Sequence, residues 1–179
     1  MSNSTTTSES IQIRSATLDE VDQLCDFAKK TFRIAYQDSI EAELLENFTN
    51  THFDTAKVIS EIQSDDITFF LSIENDEILA YSKVIRRNKP DYFGNENHLF
   101  IEKIYVSPDI QKSGLGKAQI TFISGFAKDE NLKSIWLKVW EGNLKAQAFY
   151  KKLGFSKIGD APFQMEHRRF NDHVLELKL

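Results

Sequence analysis

The opening of the chain predicts a strand followed by an amphipathic helix. Apolar and polar residues alternate over positions 11–14, as in a half-buried strand. Thr17 and Glu20 then have the spacing of a capping box, in which the threonine begins a helix and the glutamate bonds back to it. Beyond the box, apolar residues recur at helical spacing. They are Val21, Leu24, Phe27, Ala28 and Phe32.

Two further helices are predicted before the next strand. Residues 36–51 carry an apolar stripe and form one amphipathic helix, and Asp54 caps a short helix over residues 55–63. The first of these helices also carries acidic residues, namely Asp38, Glu41, Glu43 and Glu46. Their carboxylates form either a solvated surface or an acidic wall for a polyamine.

The rest of the chain alternates between strands and helices. Strands are predicted over residues 67–74, 77–86, 99–106, 134–140, 155–165 and 170–177. Helices are predicted over residues 115–129 and 143–153, and a mobile hairpin loop or insert over the polar residues 88–97. Because strands and helices are mixed without a boundary, we expect one α/β (α+β) domain over residues 10–179.

Composition is that of a single-domain soluble protein. The chain has 179 residues, of which 41% are hydrophobic and 27% charged. Residues 1–9 lack the basic start and apolar core of a signal peptide, so we expect a disordered tail. No apolar run is long enough for a membrane span. The lone Cys25 excludes an internal disulfide, and these features together favour the cytoplasm.

The net charge indicates which classes of partner are expected. The formal net charge of −5 argues against nucleic acid and mildly favours a cationic substrate, because an acidic cleft attracts cations. The histidines are scattered without paired spacing, so no metal site is predicted. They are His52, His98, His167 and His173. Both a monomer and a homodimer are compatible with the sequence.

A glycine-bearing loop between a strand and a helix is the first candidate site. Ser107-Pro108-Asp109 ends the strand, because proline has no N–H for the ladder. Gly114 and Gly116 leave the backbone open, and a helix from Leu115 points its free N–H groups at the loop. Such a helix start suits a phosphate or pyrophosphate. Alone, the pattern is also typical of a tight turn, and Gln119 stands where a dinucleotide fingerprint has its third glycine.

A second motif, found in order after the first, makes the pair specific for one family of proteins. Residues 143–155 read Asn-Leu-Lys-Ala-Gln-Ala-Phe-Tyr-Lys-Lys-Leu-Gly-Phe and follow a strand that ends Val139-Trp140-Glu141. Together with the earlier Gln-x-x-Gly-x-Gly, in this order and separated by one helix and one strand, the motif resembles the GNAT acetyltransferase superfamily. Within that superfamily, the run Glu102-Lys103-Ile104-Tyr105-Val106 is similar to PaiA-type spermine/spermidine N-acetyltransferases. The resemblance covers nearly the whole chain.

The resemblance implies a fold and a cosubstrate. The fold is a mixed, mostly antiparallel seven-stranded sheet, splayed between strands 4 and 5 and flanked by helices. The cosubstrate is acetyl-CoA, with no metal; its pyrophosphate binds the glycine loop and its pantetheine arm pairs with the fourth strand. The implied contacts are Ile104, Tyr105, Val106, Gln111, Lys112, Ser113, Gly114, Leu115, Gly116, Lys117, Asn143, Tyr150 and Lys152.

The resemblance also implies catalytic roles. Tyr150 is the general acid that protonates the leaving thiolate, or else a core aromatic residue. Glu102 is the base, since roughly one primary amine in a thousand is deprotonated at neutral pH; otherwise it is a substrate contact or a surface carboxylate. Tyr36 and Trp140 join Glu102 in the acceptor pocket, where aromatic faces attract a cation. Asn143 binds pantetheine, caps the helix, or does both.

These roles predict direct acetyl transfer to a primary amine, and the resemblance indicates a polyamine, spermine or spermidine, as the acceptor. Two alternatives remain open. One is an acetyltransferase of protein amino termini or lysines, and the other is a catalytically weak CoA-binding regulatory module.

Overall fold

The computed structural model of the protein describes residues 10–86, 97–110 and 113–179. The predicted tail over residues 1–9 lies outside the described residues. So do all but the last residue of the predicted loop over residues 88–97, and the candidate contacts Gln111 and Lys112.

Within these ranges the chain forms seven strands and five α-helices. The strands are β1 (Gln12–Ser15), β2 (Ile67–Glu74), β3 (Glu77–Ile85), β4 (His98–Val106), β5 (Ser134–Trp140), β6 (Ser156–Met165) and β7 (Arg168–Lys178). The helices are α1 (Val21–Tyr36), α2 (Ala42–His52), α3 (Thr55–Ile62), α4 (Leu115–Asp129) and α5 (Leu144–Lys152). In the part of the chain that is described, no helix is both long and apolar enough to cross a bilayer.

All seven strands belong to one sheet in the order β1-β2-β3-β4-β5-β7-β6. Neighbouring strands are antiparallel, except that β4 and β5 run parallel. This arrangement confirms the expected mixed, mostly antiparallel sheet. Helices α1, α2 and α3 pack against one face, and α4 and α5 against the other, each pair of layers enclosing its own hydrophobic cluster.

Local signals explain most of the element boundaries. The Thr17–Glu20 capping box forms as predicted, with the Thr17 amide donating to Glu20 Oε2 at 2.8 Å, and Arg14 donates to the same carboxylate at 2.6 and 2.9 Å. Asp54 caps α3 by accepting from the Lys57 amide at 3.1 Å. These side chains satisfy amides that the first turn of a helix otherwise leaves without a partner.

The start of the helix predicted over residues 36–51 is wrong, although its second half is helical. The first helix continues through Tyr36, a turn follows, and α2 begins at Ala42. The amides of Ser39 and Ile40 both donate to the Tyr36 carbonyl, at 2.9 and 3.0 Å, which closes the turn. The error arises because Tyr36, Ile40 and Leu44 keep an apolar spacing of four residues through the turn, so periodicity alone reads as unbroken helix.

The sheet splits at its centre. The parallel pairing joins His98–Ile101 of β4 to Ser134–Leu137 of β5 and then stops, although β4 continues to Val106 and β5 to Trp140. On its other side β4 stays paired with β3, with one irregularity: Lys83 lies opposite Lys103 and Val84 opposite Ile101, so Glu102 is an extra residue. A β-bulge of this kind bends the strand and redirects its side chains.

Candidate active site

A cavity of about 490 Å³ occupies the split between β4 and β5. It is lined from both faces of the sheet. Residues on the side of α4 and α5 include Ile104, Asn143, Ala146 and Tyr150. Residues on the side of α1 and α2 include Tyr36, Phe48, His52, Lys103, Tyr105, Trp140, Phe163, Phe170 and Asp172. The predicted catalytic and acceptor residues therefore come together in one place.

Tyr150 projects from α5 into this cavity and is only 8% exposed. Its ring packs edge-on against Phe149 and Phe155, with centroids 5.2 and 5.4 Å away. Among the described residues its hydroxyl has no hydrogen-bond partner. Burial raises the pKa of Tyr150 well above the usual tyrosine value, and the nearby Tyr36 raises it further. The hydroxyl is therefore protonated at neutral pH and available to donate to a ligand.

Asn143 begins α5 and also lines the cavity. Its Oδ1 accepts from the Ala146 amide at 3.0 Å, so the cap role that the sequence allowed is present. The side-chain amide nitrogen remains as a donor on the cavity side. The cap thus holds α5 in the orientation that brings Tyr150, two turns later, into the cavity.

The two loop glycines are required for different physical reasons. Gly114 is the N-cap of α4 and has φ +91°, a conformation that side chains rarely adopt, and a Cβ there would meet no atom within 4 Å. At Gly116 a Cβ would approach Phe149 Cζ to 3.3 Å and Val106 Cγ2 to 3.7 Å. Gly116 therefore allows α4 to pack closely against α5 and β4, a reason that differs from the open backbone expected from the sequence.

The surroundings of α4 and β4 fit a CoA molecule. Ser113, Gly114 and Lys117 are exposed around the N-terminus of α4, whose first-turn amides have no acceptor within the helix. These donors and the helix dipole suit a pyrophosphate. Beyond Ile101 the edge of β4 that faces β5 is unpaired, which leaves backbone groups of residues 102–106 open to an extended ligand such as a pantetheine arm. Lys152 is exposed in the last turn of α5.

Glu102 lies in a network of charges around the buried Lys83 that the sequence did not predict. Lys83 donates to Glu61 at 2.7 Å and contacts Glu102 at 2.8 Å, and Lys103 also donates to Glu102 at 2.8 Å. Burial alone would raise the pKa of Glu102, but Lys103 and Lys83 outweigh it and lower that pKa to about 2. The Glu102 carboxylate is therefore ionised and already paired.

The aromatic residues of the acceptor side surround a second carboxylate. Asp172 on β7 lies opposite Trp140 on β5, and the Trp140 ring packs edge-on against Phe170 at 6.0 Å. Burial raises the pKa of the Tyr36 hydroxyl, and the proximity of Asp172 raises it further. In the described part of the chain, Asp172 has no side-chain hydrogen bond and no ion pair.

The cavity contains residues that the sequence predicted and others that it did not. Tyr36, Glu102 and Trp140 line the cavity. Trp136, on the same strand as Trp140, is 1% exposed and stacks on Phe100 in the core. His52, which the sequence did not place in the acceptor pocket, also lines the cavity, half-buried and stacked on Phe48 with centroids 3.8 Å apart.

Lys83, Lys103 and Asp172 were not predicted as site residues from the sequence. A charged residue inside an otherwise apolar strand is a signal that could have pointed to Lys83, which lies between Ser82 and Val84. Asp172 offers no such signal, because its neighbours along β7 are polar as well.

This fold, with a split parallel pair and a helix N-terminus beside it, identifies the class of protein. The profile of the acetyltransferase (GNAT) family matches residues 21–155, more than half of the chain. The chain belongs to this family, whose members use acetyl-CoA as the acetyl donor.

Individual relatives agree with the assignment. An uncharacterised N-acetyltransferase of Mycobacterium tuberculosis is 26% identical over 161 residues, which make up 89% of this chain and 98% of the relative. The crystal structure of PaiA N-acetyltransferase from Thermoplasma acidophilum in complex with coenzyme A has a TM-score of 0.78 at 18% identity, and the match covers 96% of this chain and 100% of that one. The ribosomal-protein-S18-alanine N-acetyltransferase of Escherichia coli has a TM-score of 0.65 at 19% identity, covering 94% of each chain. The two structures share the fold of this chain.

Proposed function

We propose that the protein transfers an acetyl group directly from acetyl-CoA to a primary amine, with Tyr150 as the general acid. The observation that carries this proposal is the unbonded, protonated Tyr150 hydroxyl in a cavity beside the unpaired edge of β4. When bound, acetyl-CoA supplies an activated acetyl group as a thioester. The hydroxyl of Tyr150 is then suited to give a proton to the departing sulfur.

The chain's own groups account for binding of the donor. The amides at the start of α4, with Gln111, Lys112, Ser113, Gly114, Leu115, Gly116 and Lys117, hold the pyrophosphate. The backbone of Ile104, Tyr105 and Val106 aligns the pantetheine arm, and Asn143 contacts it with the amide nitrogen that the helix cap leaves available. Lys152 adds positive charge near the phosphates.

Glu102 is proposed as an acceptor-site contact that keeps Lys103 in place, and not as the base. A carboxylate with a pKa of about 2 has little affinity for a proton. Its two lysine partners also cancel much of the attraction that it would exert on a cationic substrate. Tyr36 and Trp140 complete the acceptor wall, where their ring faces attract an ammonium group.

The charge balance of the cavity favours an acceptor with a single ammonium group over a polyamine. Its lining includes two carboxylates, Glu102 and Asp172, and two ammonium groups, Lys103 and Lys138. On the neighbouring acidic surface, Glu41 pairs with Arg168 at 3.0 Å and Glu46 with Arg33 at 2.7 Å. A polyamine therefore meets few uncompensated carboxylates, whereas the amino terminus of a peptide needs only one.

A thiol-release assay with acetyl-CoA tests both the acetyl transfer and the proposed class of acceptor. The acceptors are spermidine, spermine, a tripeptide with a free amino-terminal alanine, and the same tripeptide with a blocked amino terminus. We expect the free tripeptide to be acetylated with a higher kcat/KM than either polyamine, and the blocked one to be inert. A higher kcat/KM for spermidine would restore the polyamine as the acceptor. CoA binding without thiol release from any amine would indicate a regulatory module.

A further inference from the structure

We infer that Asp172 is the carboxylate that binds the acceptor's ammonium group and removes its proton. The inference deepens the proposed function and rests on it. It is carried by the position of this side chain in the cavity, by its surroundings, and by the contrast with Glu102.

The position of Asp172 follows from the register of the sheet. Asp172 and Trp140 are directly opposite on the antiparallel strands β7 and β5, so both side chains project from the same face. Both line the cavity at the end of β5, beyond the last residue of the sheet that pairs with β4. Asp172 is therefore on the acceptor side of the split, and Tyr150 faces it from the donor side.

The surroundings of Asp172 suit an organic cation. Trp140, Phe170 and Tyr36 line the same part of the cavity and offer aromatic faces around a half-buried carboxylate. Glu102 is held by two lysines, whereas Asp172 has no ion pair within the described ranges of the chain. An ammonium group in this pocket would therefore find Asp172 as its unpaired counter-ion.

The charged and titratable groups that face Asp172 come from several elements. They are Lys138 on β5, His173 on β7, Glu141 after β5, and the Tyr36 hydroxyl on α1. His173 is already bonded to Asp160 at 2.7 Å, and Glu141 accepts from Asn171 at 3.1 Å. Burial raises the pKa of Asp172 above the usual aspartate value; Lys138 and His173 oppose the shift and Glu141 adds to it. A carboxylate in this state takes up a proton more readily than Glu102 does.

The proton balance of the reaction requires one proton transfer to Asp172 and one from Tyr150. The bound ammonium gives one proton to an Asp172 carboxylate oxygen, and the freed lone pair forms the new C–N bond as the thioester C–S bond breaks. Tyr150 gives its proton to the sulfur and regains one from the acylated nitrogen. Asp172 returns its proton to water, so the products are an amide, the CoA thiol and one released proton.

The test compares Asp172→Asn with two other carboxylate substitutions, using the alanine tripeptide and spermidine as acceptors. Asp172→Asn is expected to lower kcat/KM about 100-fold or more, as for loss of a general base. The wild-type kcat/KM falls as the pH drops through the pKa of Asp172, because protonation removes the base. We expect this acid limb to vanish in Asp172→Asn, to persist in Asp172→Glu, and to keep its position in Glu102→Gln.

Two controls distinguish the loss of a base in Asp172→Asn from a structural effect of the substitution. Glu77→Gln removes one exposed carboxylate at the start of β3, outside the cavity, and is expected to leave kcat/KM unchanged. Hydroxylamine is uncharged at neutral pH and needs no base, so Asp172→Asn is expected to acetylate it nearly as fast as the wild type does.

The outcomes are distinguishable. An acid limb that persists in Asp172→Asn, or that disappears in Glu102→Gln, overturns the assignment of Asp172. An equal loss of rate with hydroxylamine overturns it too, because that loss would be structural. A wild-type protein that releases no thiol with any amine overturns the proposed function and this inference together.

Discussion

At the scale of single residues, two buried tyrosines differ in what their hydroxyls face. Neither Tyr81 nor Tyr150 has a hydrogen-bond partner for its hydroxyl among the described residues, but only Tyr150 lines the cavity. Tyr81 is 0% exposed and stacks on Tyr105 with centroids 5.7 Å apart. The pair therefore offers a matched comparison between a hydroxyl that faces the cavity and one that does not.

Tyr150→Phe is expected to lower kcat about 100-fold or more with little change in the Kd for CoA, because the hydroxyl acts on the departing sulfur and contributes little to binding. Steady-state kinetics and calorimetric titration with CoA measure the two quantities. Tyr81→Phe is the control and is expected to keep the wild-type kcat. An unchanged kcat in Tyr150→Phe would remove this residue from the proposed mechanism.

The residues found from sequence are those with a local signature. Tyr150 and Asn143 lie in one motif on α5, and Glu102 lies in the run before the glycine loop. Asp172 could not be found in this way, because its place opposite Trp140 depends on the register of two strands that are far apart in sequence. The pairing of Glu102 with Lys83 depends on the bulge in β4, which no period-two pattern reveals.

At the scale of elements, two glycines of α4, one at its N-cap and one inside it, are expected to respond in opposite ways to substitution. Gly114 has a positive φ of 91° at the N-cap, while Gly125 lies within the exposed part of the helix with open space around its Cβ position. A side chain is strained at the first position and favourable at the second.

Gly114→Ala is therefore expected to lower the free energy of unfolding by about 1 kcal/mol and to weaken CoA binding, because strain at the N-cap misaligns the first-turn amides. Gly125→Ala, the matched control in the same helix, is expected to raise it by about 0.5–1 kcal/mol with the Kd for CoA unchanged. Urea unfolding and CoA titration measure both effects. Equal CoA affinities in the two variants would contradict the assignment of the loop.

The predicted boundaries of helices and strands agree with the structure where the apolar spacing breaks off at a turn. They are wrong where that spacing continues through the turn. The predicted bounds of β2, β5 and α4 agree with the structure, because each of these elements is flanked by turn residues. The boundary between α1 and α2 was placed too early, before Tyr36, since the apolar spacing stays in phase across the turn after Tyr36.

At the scale of the whole molecule, CoA binding and folding are linked. The contacts proposed for CoA come from β4, α4 and α5, which unfolding would separate. A ligand that binds only the folded state at 100 times its Kd adds about 2.7 kcal/mol to the stability.

For a chain of this size, that gain corresponds to a rise in Tm of about 5–10 °C. We expect Tyr150→Phe to show the full rise with CoA and Gly114→Ala a smaller one. Differential scanning calorimetry at several CoA concentrations measures the shift. A Tm that does not depend on CoA in the wild type would exclude the proposed donor site.

The overall topology was accessible only through the family resemblance. Alternation and helical spacing give the elements in order, but they do not say that β4 and β5 run parallel or that their pairing ends at Ile101 and Leu137. The charge balance of the cavity was equally inaccessible, because Glu102, Lys103 and Asp172 meet there only after folding.

The gap in the centre of the sheet has a consequence for the order of events in turnover. Because the gap is lined from opposite faces, the nucleotide-bearing molecule and the amine need not compete for one entrance. In the proposed reaction, CoA on the side of α4 and α5 would therefore exchange without displacing an acceptor bound on the side of α1 and α2. Exchange on one face and recognition on the other could then evolve separately, and one architecture could serve acceptors of very different bulk.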